Sequence, residues 1–77
     1  MTEQPAQEET NRWHRRFAVD CNNGAWELIS RKERTAAEAR EMFYMACASA
    51  FHWSKVGTPL NHARAEILLA HSICNGL

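Results

Sequence analysis

The sequence predicts an all-α protein with a three-helix antiparallel arrangement. Apolar residues recur at spacings of three and four along most of the chain, which is typical of amphipathic helices. No sustained alternation of apolar and polar residues predicts a strand, and no hairpin dipeptide joins strand-like segments. Two local boundary signals are present, a capping box at Thr35 and Glu38 and the sequence Gly-Thr-Pro at 57–59. They divide the chain into helical segments at about 10–31, 36–56 and 59–75. We therefore predict a closely linked helix pair that follows a long N-terminal helix.

A chain of 77 residues forms one domain at most, and a core this small leaves little margin of stability. Residues 1–7 lack periodicity and include Pro5, which predicts a disordered tail ahead of a single helical domain over 8–77. Thr10 or a nearby residue is expected to cap the first helix. Apolar spacing predicts the core face of this helix, which comprises Trp13, Phe17, Ala18, Cys21, Gly24, Ala25, Leu28 and Ile29.

The second helix contains the most apolar stretch of the chain, Met42–Phe51, in which Ser49 is the one polar side chain. A capping box starts it, because the Thr35 hydroxyl and the Glu38 carboxylate can each accept a backbone hydrogen bond. A helix that is apolar nearly all round is usually packed on both flanks, so we place this helix at the centre. Its main predicted stripe comprises Ala39, Met42, Phe43, Ala46, Ala50 and Trp53. Its second arc comprises Tyr44, Cys47, Ala48 and Phe51.

Gly57, Thr58 and Pro59 predict the connection between the second and third helices. Gly57 suits a left-handed residue that closes a helix, Thr58 suits an N-cap, and Pro59 suits the first helical position. A link this short makes the two helices antiparallel neighbours. The predicted apolar face of the third helix comprises Leu60, Ala63, Ile67, Ala70 and Cys74, extended by Leu69, Ile73 and Leu77. Small residues that allow close helix contact are Ala39, Ala46, Ala50, Ala63 and Ala70.

The second and third helices resemble the helical hairpin of tetratricopeptide repeats. A second repeat helix has Ala, Phe and Ala at positions that here hold Ala39, Phe43 and Ala46. A first repeat helix has Leu, a small residue and a large apolar residue at positions that here hold Leu69, Ala70 and Ile73. The pattern departs at Glu66, where the family has an aromatic residue, and at Phe51, where it has proline. Residues 52–77 also resemble part of uncharacterised bacterial all-helical proteins, of which this chain would be a short or truncated member. The resemblance implies a close-packed helix pair and brings no catalytic residues.

The charge balance argues against nucleic acid as a partner. Nine basic and nine acidic residues cancel, whereas a nucleic-acid-binding protein normally has a basic excess. The apolar stretch Met42–Phe51 is about half as long as a membrane-spanning helix, so no membrane segment is predicted. The polar N-terminus is unlike a signal peptide, and Cys21, Cys47 and Cys74 show no CxxC spacing. We therefore expect a cytoplasmic protein with reduced cysteines in its core and no cofactor.

Two pairs of residues on the third helix have side chains that suit a zinc-like ion. His62 and Glu66 are four positions apart, and His71 and Cys74 are three apart. A metal site normally needs three or four ligands, and no clustered spacing supplies the others. We therefore assign no metal ligand, and a small metal- or ligand-binding protein remains the alternative function.

Asp20 lies within the predicted apolar stripe of the first helix, where an unpaired carboxylate is costly. We predict a buried polar network in which Asp20 pairs with Arg64 and His71 of the third helix. Structural ion-pair networks of this kind shift pKa values without a catalytic role. The chain has no recognisable reaction motif, so we expect that it is not an enzyme.

The chain has more apolar surface than three helices can bury among themselves. Exposed patches of aromatic and aliphatic side chains mark protein–protein contact surfaces. The sequence therefore predicts a non-enzymatic module that acts through protein–protein contact, most simply as a homo-oligomer. The predicted interaction surface comprises Trp26, Tyr44, Phe51, Leu69, Ile73 and Leu77.

Overall fold

Three helices make up most of the chain in the computed structural model, which describes residues 3–76. Helix α1 spans Glu3–Ile29, α2 spans Ala36–Val56 and α3 spans Pro59–Gly76. No strand occurs within the described range. The predicted all-α fold class is confirmed, and α2 and α3 begin and end within one residue of the expected positions.

Helix α1 begins at Glu3, well before the expected start near residue 10. Residues 3–7 are helical where the sequence predicts a tail; residues 1 and 2 lie outside the described range. Thr10 does not cap the helix, because its hydroxyl lies inside it and donates a 3.0 Å hydrogen bond to the Ala6 carbonyl. Proline is tolerated in the first turn, where an amide donor is not needed, so Pro5 does not prevent helix formation.

Helix α1 also continues without a break through Asn22, Asn23 and Gly24, which have low helix propensity. At Gly24 the α1 backbone lies close to the Met45 side chain of α2. A Cβ atom added at Gly24 would lie 2.7 Å from the Met45 sulfur. The missing side chain therefore lets the α1 backbone approach the Met45 side chain.

The predicted capping box starts α2. The Glu38 amide donates to the Thr35 hydroxyl at 3.1 Å, and the Thr35 amide donates to the Glu38 carboxylate at 2.9 Å. The same arrangement starts α3, where the Thr58 amide donates to the Asn61 side chain at 3.0 Å. Gly57 differs from the prediction, because its backbone is extended, with φ −80° and ψ 167°, rather than left-handed.

Helix α2 lies between α1 and α3, which contact each other least. Helices α1 and α2 are antiparallel. Ala18 is bonded to Ser49, whereas Gly24, further along α1, approaches Met45, which is earlier in α2. A two-residue link, 57–58, then returns the chain so that α3 runs antiparallel to α2. As a result α1 and α3 run in the same direction, and their C-terminal ends lie close together.

The core consists mainly of small side chains. Each helix contributes one residue to its centre, which is formed by Ala25, Ala46 and Leu68. Met42 is also fully buried, and it is the largest side chain of the core together with Leu68. Small side chains let three helix backbones approach one another closely. Partly buried residues around this centre are Ile29, Met45 and Leu69.

The structure buries only one side of the predicted face of α1, the side that holds Ala18, Ala25 and Leu28. Trp13 and Phe17 are 52% and 44% exposed, whereas Ala18 and Ala25 are fully buried. The core face therefore runs along the small residues and reaches Leu28 near the end of the helix. The bulky aromatic residues, which dominate the sequence pattern, lie at its edge.

The prediction of the buried face is further from the structure for α3, where the predicted apolar face is turned mainly to solvent. The five residues that form its main line are all exposed: Leu60, Ala63, Ile67, Ala70 and Cys74. The buried residues of α3 are Ala65, Leu68 and Ser72. Of the two alanines that the sequence places at the helix contact, Ala63 and Ala70, neither is buried, and Ala65 takes their place.

Arg34, in the link between α1 and α2, joins the C-terminal ends of α1 and α3. Its Nη1 donates to the carbonyls of Leu28, Ile29 and Arg31 at 3.0, 3.2 and 3.1 Å. Its Nη2 donates to the carbonyl of Asn75 at 2.9 Å. Carbonyls in the last turn of a helix lack partners within the helix, so one guanidinium group caps two helices.

The molecule is elongated, with extents of 50 × 22 × 15 Å and a radius of gyration of 13.9 Å. A typical domain of this length has a radius of gyration of about 11.5 Å. Among the helices between residues 3 and 76, none has an apolar stretch long enough to cross a membrane. The long, thin shape leaves much of each helix exposed.

Candidate interaction surfaces

One whole face of α3 is apolar and exposed. Its residues recur at alternating spacings of three and four, which places them on one line along the helix. This line is named the α3 stripe and comprises Leu60, Ala63, Ile67, Ala70 and Cys74. Leu60 and Ile67 are 57% and 54% exposed. The opposite side of α3, with Ala65 and Leu68, is buried, so the stripe faces away from the core of its own chain.

A groove of about 340 Å³ lies between α1 and α3, beside the α3 stripe. Asn22 and Trp26 of α1 line one side, and Arg64 and Ile67 of α3 line the other. Trp26, one of the predicted interaction residues, is 37% exposed. Its ring lies 5.3 Å from the His71 ring. Because Ile67 belongs to both the stripe and the groove, the apolar surface of α3 continues onto α1.

The other predicted interaction residues do not share this surface. Tyr44 and Phe51 are 61% and 53% exposed and lie seven positions apart on one side of α2. Ile73 is 43% exposed on α3. Leu69 is only half-buried and packs against the core, while Leu77 lies outside the described residues. The predicted surface is therefore divided between different faces of the molecule.

Aromatic side chains of α1 and α2 form a second exposed surface. Trp13 stacks on Phe17 with ring centroids 5.6 Å apart. Phe17 in turn lies 5.6 Å from the His52 ring, and His52 lies 5.3 Å from Phe51. This surface is named the aromatic patch and comprises Trp13, His14, Phe17, Phe51 and His52.

Within the aromatic patch, the Nδ1 atoms of His14 and His52 lie 2.8 Å apart. This is a hydrogen-bond distance, so the Nδ1–H group of one imidazole donates a hydrogen bond to the Nδ1 atom of the other. Burial lowers the pKa of His52, and repulsion from a charged His14 lowers it further. The sequence gives no sign of this pair, because the two histidines are 38 positions apart. Only the antiparallel register of α1 and α2 brings them together.

The predicted buried polar network is wrong. Asp20 lies on the surface of α1, where its carboxylate bonds to Arg16 one turn earlier at 2.9 Å. The side chains of Arg16 and Asp20 are 67% and 52% exposed. Arg64 and His71 are exposed as well. Since the core face of α1 runs through Ala18, Asp20 is not buried and needs no partner from α3.

The four candidate ligands of α3 do not converge on one point. His62 and Glu66 line a common groove between α2 and α3. The Nε2 atom of His62 is, however, 2.9 Å from the Trp53 carbonyl, which is a hydrogen-bond distance. His71 and Cys74 are exposed further along the helix. Within the described part of the chain, no three His, Cys, Asp or Glu residues are grouped closely enough to hold a metal ion.

All three cysteines are free thiols, and they differ in exposure. Cys21 and Cys47 are half-buried, whereas Cys74 is exposed on the α3 stripe, contrary to the expectation of a core position. Burial raises the pKa of Cys21, and the neighbouring Asp20 charge raises it further. Cys21 is therefore a poor nucleophile at neutral pH, because thiols react as thiolates.

No family model matches this chain, and comparison with curated proteins and with solved structures also finds no match. The functional proposal therefore depends on the exposed faces of the helices and on the chemistry of their side chains.

Proposed function

We propose that this protein is a non-enzymatic self-association module that forms a homodimer through the α3 stripe. The observation that carries the proposal is the exposure of Leu60 and Ile67, both more than half accessible to solvent. A line of apolar residues with three–four spacing is the contact surface of packed helices. In α3 this line faces away from its own core, so it is accessible to an apolar partner.

The surface area of the chain supports a second copy as that partner. A compact monomer of 8.8 kDa exposes about 4,800 Å². This chain exposes 5481 Å², an excess of about 700 Å². A standard interface buries about 800 Å² on each partner, so a dimer contact of ordinary size would remove this excess. The balanced charge, nine basic against nine acidic residues, also means that two copies do not repel each other.

The alternation of residue size along the α3 stripe favours an antiparallel dimer. Bulky Leu60 and Ile67 alternate with small Ala63 and Ala70. In an antiparallel pair whose two-fold axis lies midway between positions 63 and 67, Ile67 of one copy lies opposite Ala63 of the other and Leu60 lies opposite Ala70, so that large and small side chains fill the contact evenly. A parallel pair would place Ile67 against Ile67 and Ala70 against Ala70, which leaves gaps. The tetratricopeptide resemblance is consistent with the proposal, since it implies close helix packing through small residues.

The test measures the mass of the untagged protein in solution by light scattering, from micromolar to millimolar concentration. The variant is Ile67→Glu, which places a charge at the centre of the α3 stripe. The matched control is Tyr44→Glu, which changes a similarly exposed residue on α2. We expect dimers for the wild type and for Tyr44→Glu, and monomers for Ile67→Glu, because a buried unpaired carboxylate is costly.

Circular dichroism of each variant separates dissociation from unfolding, and Ile67→Glu should keep its helical signal because Ile67 is not part of the core. A wild-type protein that stays monomeric throughout the concentration range would overturn the proposal. So would a dimer that survives Ile67→Glu, because association would then use another surface.

A further inference from the structure

We propose that the contact between His14 and His52 is a pH-sensitive latch, which holds the N-terminal part of α1 against α2 and opens when both imidazoles are protonated. The two rings meet where α1 packs on α2, within the aromatic patch. The inference goes beyond self-association and does not depend on the α3 stripe.

The geometry of the contact allows one imidazolium but not two. The Nδ1 atoms of the two rings face each other across 2.8 Å. A hydrogen bond at this distance needs a proton on one Nδ1 atom and a free lone pair on the other. A neutral pair meets this requirement, and so does a pair in which one imidazolium is the donor. When both rings are charged, two N–H groups and two like charges face each other, so the bond is lost. Opening therefore takes up one proton from solvent.

No acidic group compensates a second charge at this contact. Within the described part of the chain, no Cys, Asp or Glu joins the two histidines in a cluster, and neither histidine belongs to an ion pair. The residues one turn away from His14 on α1 are all uncharged: Thr10, Asn11, Phe17 and Ala18. A doubly protonated pair would therefore keep its full repulsion.

The charged group one turn from His52 on α2 is a cation. This is Lys55, whose Nζ atom lies 5.2 Å from the centre of the Phe51 ring. Its positive charge adds to the repulsion within a doubly protonated pair. Cys21 lies two turns after His14 on α1, and it is a neutral thiol at neutral and acid pH because burial raises its pKa.

The titratable groups that α3 brings to α2 face away from the latch. His62 and Glu66 line a groove with Ala50 and Ser54. Ala50 and Ser54 are each two positions from His52, so they point to the opposite side of α2. The Glu66 carboxylate is therefore not placed to neutralise a charge on His52.

The latch lies where the attachment of α1 to α2 begins. Between residues 6 and 17 no side chain is buried, and Asn11 and His14 are half-buried. The next hydrogen bond between the two helices is at Ala18, whose carbonyl accepts the Ser49 hydroxyl. Opening at His14 therefore releases α1 from its N-terminal end up to Ala18 and leaves the central core in place. A free helical segment this short is marginally stable in water, so it should unwind.

The pH range of opening follows from the direction in which the pKa of His52 changes. Burial, followed by the positive charge of His14, lowers the pKa of His52. A histidine whose pKa is lowered in the folded state stabilises the fold at pH values above the ordinary histidine pKa of about 6.5. That stabilisation is lost as the pH falls through the lower, folded-state pKa. The loss begins above the pH range in which a glutamate such as Glu38 changes charge.

The test measures hydrogen exchange of the α1 amides by NMR from about pH 8 to about pH 5, a range that spans the ordinary histidine pKa. The variants are His52→Gln and, as the matched control on α3, His62→Gln. The glutamine oxygen at position 52 can accept a hydrogen bond from His14 whether or not His14 is charged, so this variant should stay closed.

The wild type and His62→Gln should open as the pH falls. Protection of the amides at 11–17, corrected for the pH dependence of exchange itself, should decrease by up to about tenfold per pH unit below about pH 6.5, because opening takes up one proton. In His52→Gln the protection of the same amides should stay constant over the range.

A second measurement on the wild type needs no substitution. Imidazole NMR follows the protonation of His14 and His52, and cross peaks between the Phe17 and His52 rings, whose centroids are 5.6 Å apart, report the closed latch. We expect these cross peaks to persist after the first proton binds and to disappear with the second. Cross peaks between Ala25 and Ala46 in the core should remain throughout.

Two charged imidazoles with the Phe17–His52 cross peaks intact would overturn the inference. So would wild-type protection at 11–17 that does not change with pH, because the contact would then be a hydrogen bond without a regulatory role. An equal loss of protection in His52→Gln and the wild type would also overturn it, since another group would then cause the pH dependence.

Discussion

The Ser49 hydroxyl of α2 donates a 2.9 Å hydrogen bond to the Ala18 carbonyl of α1, and both residues are fully buried. It is a polar contact between helices inside an apolar core. Ser72 of α3 is also fully buried, but no hydrogen-bond partner for its hydroxyl lies among the described residues. The two buried serines therefore differ in whether the hydroxyl is paired.

The substitutions Ser49→Ala and Ser72→Ala should have different effects on stability. Ser49→Ala removes a buried hydrogen bond and should lower the free energy of unfolding by about 1–2 kcal/mol. Ser72→Ala removes an unpaired buried hydroxyl and should leave that free energy unchanged or raise it by up to about 1 kcal/mol. Urea unfolding of both variants beside the wild type measures the difference. Equal losses in the two variants would contradict it.

Gly24→Ala should raise the free energy of unfolding by less than about 1 kcal/mol. Alanine has the better helix propensity by about 1 kcal/mol, but its Cβ would lie too close to the Met45 sulfur and methyl group. The thioether is the flexible end of its side chain, so it can move aside at a small cost. Gly24→Ile, whose larger side chain cannot be accommodated in this way, is the control and should destabilise. Thermal unfolding of both variants beside the wild type tests the predicted order of stability, with Gly24→Ala above the wild type and Gly24→Ile below it.

The capping box of α2 should make stability depend on pH in the acid range. Hydrogen bonding from the Thr35 backbone, followed by the charge of Arg31, lowers the pKa of Glu38. A carboxylate with a lowered pKa in the folded state stabilises the fold at pH values above the ordinary glutamate pKa of about 4.3. That stabilisation is lost as the pH falls through the lower, folded-state pKa.

Glu38→Gln, which does not titrate, provides the comparison for this pH effect. The wild type should be more stable than Glu38→Gln at neutral pH, and the difference should disappear in acid. Urea unfolding at a series of pH values measures it. A difference that is constant across the whole series would show that the Glu38 charge plays no part.

The three cysteines should react with a thiol reagent in a fixed order at neutral pH. Cys74 is exposed and should be modified first, whereas Cys21 is half-buried with a raised pKa and should be modified last. If the α3 stripe is a dimer contact, raising the protein concentration should slow the reaction of Cys74. Mass spectrometry of digested samples follows each site. Ile67→Glu is the control, since its Cys74 should react at the same rate at every concentration.

Helix number and helix ends could be predicted because they depend on local chemistry. Thr35 and Glu38 cap α2 through bonds that need no other part of the chain. Thr58 and Pro59 likewise mark the start of α3. The start of α1 was less predictable, because the polar residues before Thr10 carry no stop or start signal strong enough to fix it.

The buried faces could not be predicted reliably, because the helices pack through small residues. The prediction followed large apolar residues, so it assigned Phe17 and Ile67 to the core. In the structure Phe17 and Ile67 are exposed, whereas Ala18, which the prediction also included, and Ala65, which it did not, are buried where the helix backbones lie close together. The inclusion of Trp13 and Phe17 in the core face of α1 also produced the wrong expectation for Asp20.

The contacts between residues distant in the chain could not be predicted from the sequence. His14 and His52 come together through helix register, which no short-range spacing encodes. In the same way, exposure of the α3 stripe depends on which side of α3 meets α2. The sequence identified its five residues as one face, but the prediction placed Ala63 and Ala70 of that face at the helix contact, whereas the structure turns the face to solvent.

The guanidinium of Arg34 couples the unwinding of the last turn of α1 to that of the last turn of α3. The last turn of α3 cannot unwind without releasing the same side chain that holds the last turn of α1. Fluctuations at these two helix ends should therefore be cooperative, although 41 positions separate Arg34 from Asn75. Hydrogen exchange in both turns should rise together when the side chain is shortened, as a single subglobal opening rather than two independent fraying events.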